Sequence, residues 1–224
     1  NFREILEICR HYRIVPNFTT SGLGMTKAIA KLCRDHCGAV AVSWYRSEYT
    51  LNAINMLADA GVKTNIHYVL SRSTIDEAIE RFKKSLFPKE INAIVLLLHK
   101  PVGLGSKEEV LSITDSRFKE LIKLVTDKGC GYKIGFDSCS VPALMDYLEE
   151  IDVSSIDTCE GAMWSAYITS DMKMLPCSFD NQEQRWAVDL REFSIQEAWN
   201  STAFENFRDH FKNACPECPN RGLC

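Results

Sequence analysis

Short apolar, β-prone runs alternate with amphipathic helical stretches through most of the chain, and few folds accept that order. Residues 13–19, 39–44, 62–70, 93–98 and 132–136 read as strands. Before the first of them, Phe2, Ile5, Leu6, Cys9 and Tyr12 recur at helical spacing. Between the strands the same spacing returns in Ala28, Ile29, Leu32, Cys33 and His36, then Leu51, Ile54, Leu57 and Ala58. It appears again in Ile75, Ala78, Ile79, Phe82 and Leu86, then Phe118, Leu121, Ile122 and Val125. Thr74-Ile-Asp-Glu77 has capping-box spacing and predicts the start of the fourth helix. Strand–helix alternation at this repeat implies parallel strands joined by right-handed crossovers. An open doubly wound sheet and part of a barrel both satisfy it.

Past about residue 150 the rhythm changes, which divides the chain into residues 1–150 and a small module at 151–224. Residues 163–168 and 173–177 bracket Thr169-Ser170-Asp171-Met172 as a β-hairpin, and residues 196–212 read as a helix carrying Ala198, Trp199, Phe204, Phe207 and Phe211. The longest apolar run, residues 93–98, is far too short to cross a bilayer. A net charge of -4 without a basic patch gives no footprint for nucleic acid. Neither membrane nor nucleic acid is expected as a partner. The chain opens inside a helical pattern at Asn1 and closes on Cys224, so a fragment of a longer protein is expected.

Cysteine placement carries the chemistry. Of ten cysteines, five fall from Cys159 onward: Cys159, Cys177, Cys215, Cys218 and Cys224. Residues 1–12 hold neither a basic nor an apolar leader segment, so a reducing cytoplasm is expected, where clustered cysteines more often hold metal than form disulfides. A bare CxxC such as Cys215/Cys218 suits zinc, a redox pair or no ligand at all. With Cys224 beyond it and Cys159 and Cys177 at the ends of the hairpin, a distributed multi-thiolate site is favoured, with unligated thiols as the alternative. Cys33 and Cys37, at i and i+4 on a helix, read as packed thiols, and His11, His36 and His210 as ordinary helix-face residues. His67 lies on a strand beside Asn65, opposite in facing to Ile66 and Tyr68. It is either a plain strand residue or, in a barrel, one that looks into the pocket.

Cys159, the hairpin Ser170-Asp-Met-Lys-Met-Leu-Pro-Cys177 and Cys215-x2-Cys218-x5-Cys224 together resemble the SPASM domain that follows the barrel in radical SAM peptide-modifying enzymes. That pattern prefers glycine where this chain has Met172, so the turn must form without one. Gly135-Phe-Asp-Ser-Cys139 is similar to an additional cluster ligand upstream of the hairpin. Phe18-Thr-Thr-Ser-Gly22, Val42-Ser43 and Leu98-His-Lys-Pro-Val-Gly-Leu-Gly105 resemble strand ends of the radical SAM core. The resemblance implies an α/β fold: a partial (β/α) radical SAM barrel of TIM type with parallel strands, then a small cysteine-rich SPASM-type module with a β-hairpin. It implies S-adenosyl-L-methionine and auxiliary 4Fe-4S clusters as cofactors, and oxidative radical modification of a peptide or protein substrate by the full-length enzyme. Thr20, Ser43, His67 and Lys100 would line the cofactor pocket. Cys139, Cys159 and Cys177 would share one cluster, and Cys215, Cys218 and Cys224 another.

No catalytic residue is singled out. Ser178 stands where the sulfatase-maturing branch carries an aspartate, which disfavours that branch's chemistry. These residues contain no CxxxCxxC, since Cys33-x3-Cys37 is followed by Val40, so the stretch alone is expected to be inactive. The alternative is an α/β binding module with a structural zinc knuckle and no catalysis.

Overall fold

The computed structural model describes residues 1–127, 130–147, 149, 151, 159–180 and 184–213, with side chains up to 210. Helix α1 (Phe2–His11) precedes five strands: β1 (Asn17–Thr20), β2 (Ala39–Ser43), β3 (Thr64–Leu70), β4 (Ala93–Leu98) and β5 (Ile134–Phe136). Helices α2 (Lys27–His36), α3 (Glu48–Asp59), α4 (Ile75–Lys83) and α5 (Ser116–Thr126) connect them. The strands pair in parallel and in chain order, β1-β2-β3-β4-β5. A doubly wound sheet reverses its strand order part-way, so this sequential order settles the question left open by periodicity in favour of a barrel-like sheet.

Sequential winding also assigns the two faces. The register rows Thr20–Val42–Ile66–Ile94–Ile134 and Tyr68–Leu96–Phe136 turn one way, against the helices. Val42, Ile66, Ile94 and Leu96 are wholly buried there with Ile54 and Leu57 of α3, Ala78 and Ile75 of α4, and Leu121 and Ile122 of α5. The other face carries Thr19, Ser43, Asn65, His67 and Val95. Polar side chains on a central parallel strand are costly unless the face opens onto a site.

Local chemistry explains the helix boundaries. Ser47 caps α3 by accepting from Thr50 N, and Asp115 caps α5 by accepting from Arg117 N at 2.9 Å. The expected capping box at Thr74 does not form. Thr74 Oγ1 instead accepts from Ser71 N at 2.8 Å and donates to Val69 O at 2.7 Å, tightening the turn out of β3. Glu77 is drawn away by Arg46, Arg81, Trp44 and Tyr68. A complete box closes further on, at Ser194 and Glu197.

After β5 the chain passes through α6 (Val141–Leu144) and then into a small antiparallel sheet of β6 (Tyr167–Ile168), β7 (Lys173–Leu175) and β8 (Val188–Asp189), in that order. The hairpin sits where it is expected, but its first arm is shorter than residues 163–168, because Met163, Trp164 and Ser165 donate their N–H groups to Glu160 O in a turn. Met172 makes the hairpin turn with φ +63°, the left-handed conformation that glycine would adopt freely. The single helix expected over 196–212 is two, α7 (Ile195–Trp199) and α8 (Thr202–Asn213). Ser201 Oγ donates to Ala198 O at 2.7 Å and ends the first, as serine often does where it competes with the backbone. Ala162, Met174, Val188, Ala198 and Phe204 form a second apolar cluster, and Arg208 ties it together by donating to the carbonyls of Ala162 and Trp199. No helix among the described residues is long and apolar enough to cross a membrane.

Candidate functional site

Three cysteines far apart in sequence converge where the two sheets approach each other. Cys139 follows β5, Cys177 follows β7, and Cys159 opens the turn before β6; all three line one cavity of about 260 Å³ with Ser138, Tyr167 and Phe179. Gly161 permits the approach, since a Cβ there would stand 3.0 Å from Pro176 O. Cys159 and Cys177 are half-buried. Phe179 N–H donates to Cys177 Sγ at 3.4 Å. At Cys139 partial desolvation of the sulfur raises the thiol above its ordinary range; Lys100 opposes this, while Asp137, Cys177 and Cys159 add to it.

The thiols suit a polynuclear group better than a single ion. A lone zinc ion draws its sulfurs in to about 2.3 Å from the metal. Among the described residues no three His, Cys, Asp or Glu side chains stand close enough together for that. An iron-sulfur cluster binds each thiolate through a different iron and so occupies the space between them, which the cavity provides. Cys215, Cys218 and Cys224 lie outside the described residues.

Lys100 and Asp137 connect this cavity to the polar face of the five-stranded sheet. Lys100 Nζ pairs with Asp137 and lies 4.6 Å from the Phe179 ring centroid. Asp137 also accepts from the Ser140 hydroxyl. Burial lowers the His67 pKa, and the charge of Asp137 partly opposes that shift. Ser43 is the register partner of His67, and Thr19 Oγ1 stands 3.4 Å from His67 Nδ1. Ser43 at the end of β2 thus lies level with His67 in the middle of β3, and Lys100, just past the end of β4, reaches toward them through Asp137. Thr20 does not join them. Its strand parity turns it to the helix side, where its hydroxyl accepts from Gly22 N at 3.1 Å. Thr19, one residue earlier, faces His67, and Asp137 is the other residue sequence reasoning missed; only strand parity could have pointed to Thr19.

Cys33 and Cys37 form no part of this site. Burial pushes the Cys33 thiol up to about 12, with Cys37 adding to the shift; Cys33 lies buried on α2, and Cys37, which caps the helix, is partly buried against the same core.

Residues 159–220 match the family model SPASM, described as an iron-sulfur cluster-binding domain. The segment begins at one of the three converging thiols. The chain carries a SPASM domain behind a partial radical SAM fold. Streptococcus suis SuiB bound to its precursor peptide SuiA aligns over 99% of this chain and 56% of its own, at 14% identity and a TM-score of 0.73. SuiB bound to S-adenosylmethionine aligns over 99% and 57%, at 14% identity and 0.70. The anSMEcpe structure with bound AdoMet and Kp18Cys peptide aligns over 100% and 69%, at 18% identity and 0.69. At these identities the likeness is one of fold, and the chain spans little more than half the length of SuiB. No curated protein matches it in sequence.

Proposed function

We infer that this chain belongs to a radical SAM/SPASM enzyme that oxidises a side chain of a peptide or protein, with Cys139, Cys159 and Cys177 holding an auxiliary 4Fe-4S cluster. The observation that carries the reading is the convergence of the three thiols on one cavity at the edge of the SPASM domain. S-adenosyl-L-methionine bound in the complete barrel would supply a carbon-centred radical that takes a hydrogen atom from the substrate, and the clusters would accept the electron left behind as the substrate releases a proton to solvent.

The protein's part is positioning. Ser43 and His67, with Thr19 beside them, present hydrogen-bonding groups on the open face, which suits the polar parts of the cofactor. Lys100, held by Asp137, keeps a positive charge between that face and the thiolate cavity and offsets the negative charge that thiolates bring. Tyr167 and Phe179 leave exposed apolar surface at the cavity rim, which suits a peptide, and the peptide-bound SuiB and anSMEcpe structures lend the same support. Cys215, Cys218 and Cys224 are assigned to a second cluster by the SPASM pattern.

The test uses the full-length protein under anaerobic conditions with S-adenosyl-L-methionine, a reductant and a peptide substrate. The wild type forms 5′-deoxyadenosine and a peptide lighter by two hydrogens; Cys159→Ala still cleaves the cofactor but forms no oxidised peptide. Undiminished oxidation by that variant would overturn the role given to the cavity. The 224-residue chain alone, having no CxxxCxxC spacing, forms no 5′-deoxyadenosine.

A further inference from the structure

A second cavity, of about 320 Å³, opens on the helix side of the sheet, remote from the polar face and the cysteines. Helix α2 packs on α3 and α4 on α5, and the cavity is lined from both pairs, by Leu51 of α3 and Arg81 of α4. Trp44 and Phe87, edge to face at 5.3 Å, fill the floor of the cavity. Leu51 and Leu86 line it, and the guanidiniums of Arg46 and Arg81 complete the wall.

The two cations are held in place without being used up. Glu77 sits behind them and is not itself part of the cavity lining. Arg81 reaches it through Nε at 2.6 Å, and Arg46 also meets it through Nε. Trp44 Nε1 donates to the same carboxylate at 3.3 Å, and the Tyr68 hydroxyl, which also reaches Thr74 O at 2.9 Å, approaches it at 3.2 Å. Arg81 is further fixed over the faces of Trp44 and Phe87, 4.7 and 5.7 Å from their centroids, with Nη1 directed at Leu86 O. A guanidinium carries five N–H donors, so both forks keep donors for a ligand. Arg46 is placed by a left-handed backbone, φ +59°, a conformation uncommon outside glycine and asparagine and often retained at binding sites.

The geometry points to a binding site for a carboxylate carried on an apolar body, such as a peptide carboxyl terminus that follows a large aliphatic side chain. Two guanidiniums against Glu77 leave one net positive charge, which matches a monoanion rather than a phosphate dianion. The remaining walls are aromatic and aliphatic, so they receive the body of the ligand while the forks take its charged end. The site needs no cluster and stands independently of the radical reading.

Calorimetric titration of the intact chain with N-acetyl-L-leucine, N-acetyl-L-leucinamide and inorganic phosphate tests this at fixed ionic strength. The acid binds saturably and the neutral amide does not. Arg46→Gln, on an exposed loop where Glu77 retains its three other partners, weakens the acid by roughly tenfold or more, and Arg46→Lys, which keeps the charge without the fork, falls between. Far-UV circular dichroism of both variants confirms that the fold is kept. Equal binding of acid and amide, an unchanged affinity in Arg46→Gln, or tighter binding of phosphate than of the acid would each overturn the assignment.

Discussion

Glu77 shows how one side chain decides several contacts. Burial works against its charge, but hydrogen bonds from Arg81, Arg46 and Trp44 outweigh it and hold the carboxyl below its ordinary 4.5. A depressed folded pKa contributes stability that is present above the unfolded value and lost as pH falls through the folded one. Glu77→Gln is therefore expected to destabilise the chain by about 1–3 kcal/mol at pH 7, given its charge-assisted partners and partial exposure. Urea denaturation across pH should show the difference from wild type shrinking below pH 4.5. At this scale the sequence was least legible. The Thr74/Glu77 spacing suggested a cap, yet the partners that capture Glu77 come from the loop after β2 and from β3 as well as from α4 itself. Thr20 was drawn into the pocket by the resemblance of Phe18–Gly22 to a strand end, whereas strand parity turns Thr20 to the helices and Thr19 to the polar face.

Elements were more legible than residues, since β2 and β4 are short apolar runs, β3 alternates apolar and polar residues, and the helices carry stripes at three- and four-residue spacing. What periodicity could not supply was winding, which emerges only from strand order. Two turns carry predictions. Gly22, leaving β1 with φ +87°, faces Ala53 so closely that a Cβ would lie 2.7 Å from the Ala53 Cβ. Gly22→Ala should cost about 2–4 kcal/mol by combining backbone strain with overpacking, read as a lowered denaturation midpoint at unchanged m-value. Met172 presents the opposite case. It holds a left-handed turn position with an exposed side chain, so Met172→Gly relieves about 1–2 kcal/mol of strain against about 0.5–1 kcal/mol of added chain entropy. A net gain of about 0–1.5 kcal/mol is expected from the same denaturation experiment. Destabilisation by Met172→Gly would mean that the Met172 side chain contributes packing the hairpin needs.

On the scale of the whole molecule, the fold places two unlike surfaces back to back: an apolar, helix-covered face and a polar face whose strand ends lead through Asp137 and Lys100 to the cysteine cavity. Cys139, Cys159 and Cys177 were grouped from sequence through the resemblance to SPASM rather than through their spacing, and the fold brings the three to one cavity. The cation between that cavity and the sheet was not legible as such, since the Lys100–Asp137 pair joins loops 37 residues apart. The central claim, that the three thiols hold one auxiliary cluster, is tested most directly by iron and sulfide quantification on the anaerobically reconstituted full-length protein and its Cys177→Ala variant. The account predicts a loss of about four irons and four sulfides per chain in the variant, with the remaining clusters retained. Iron content equal to wild type would contradict it.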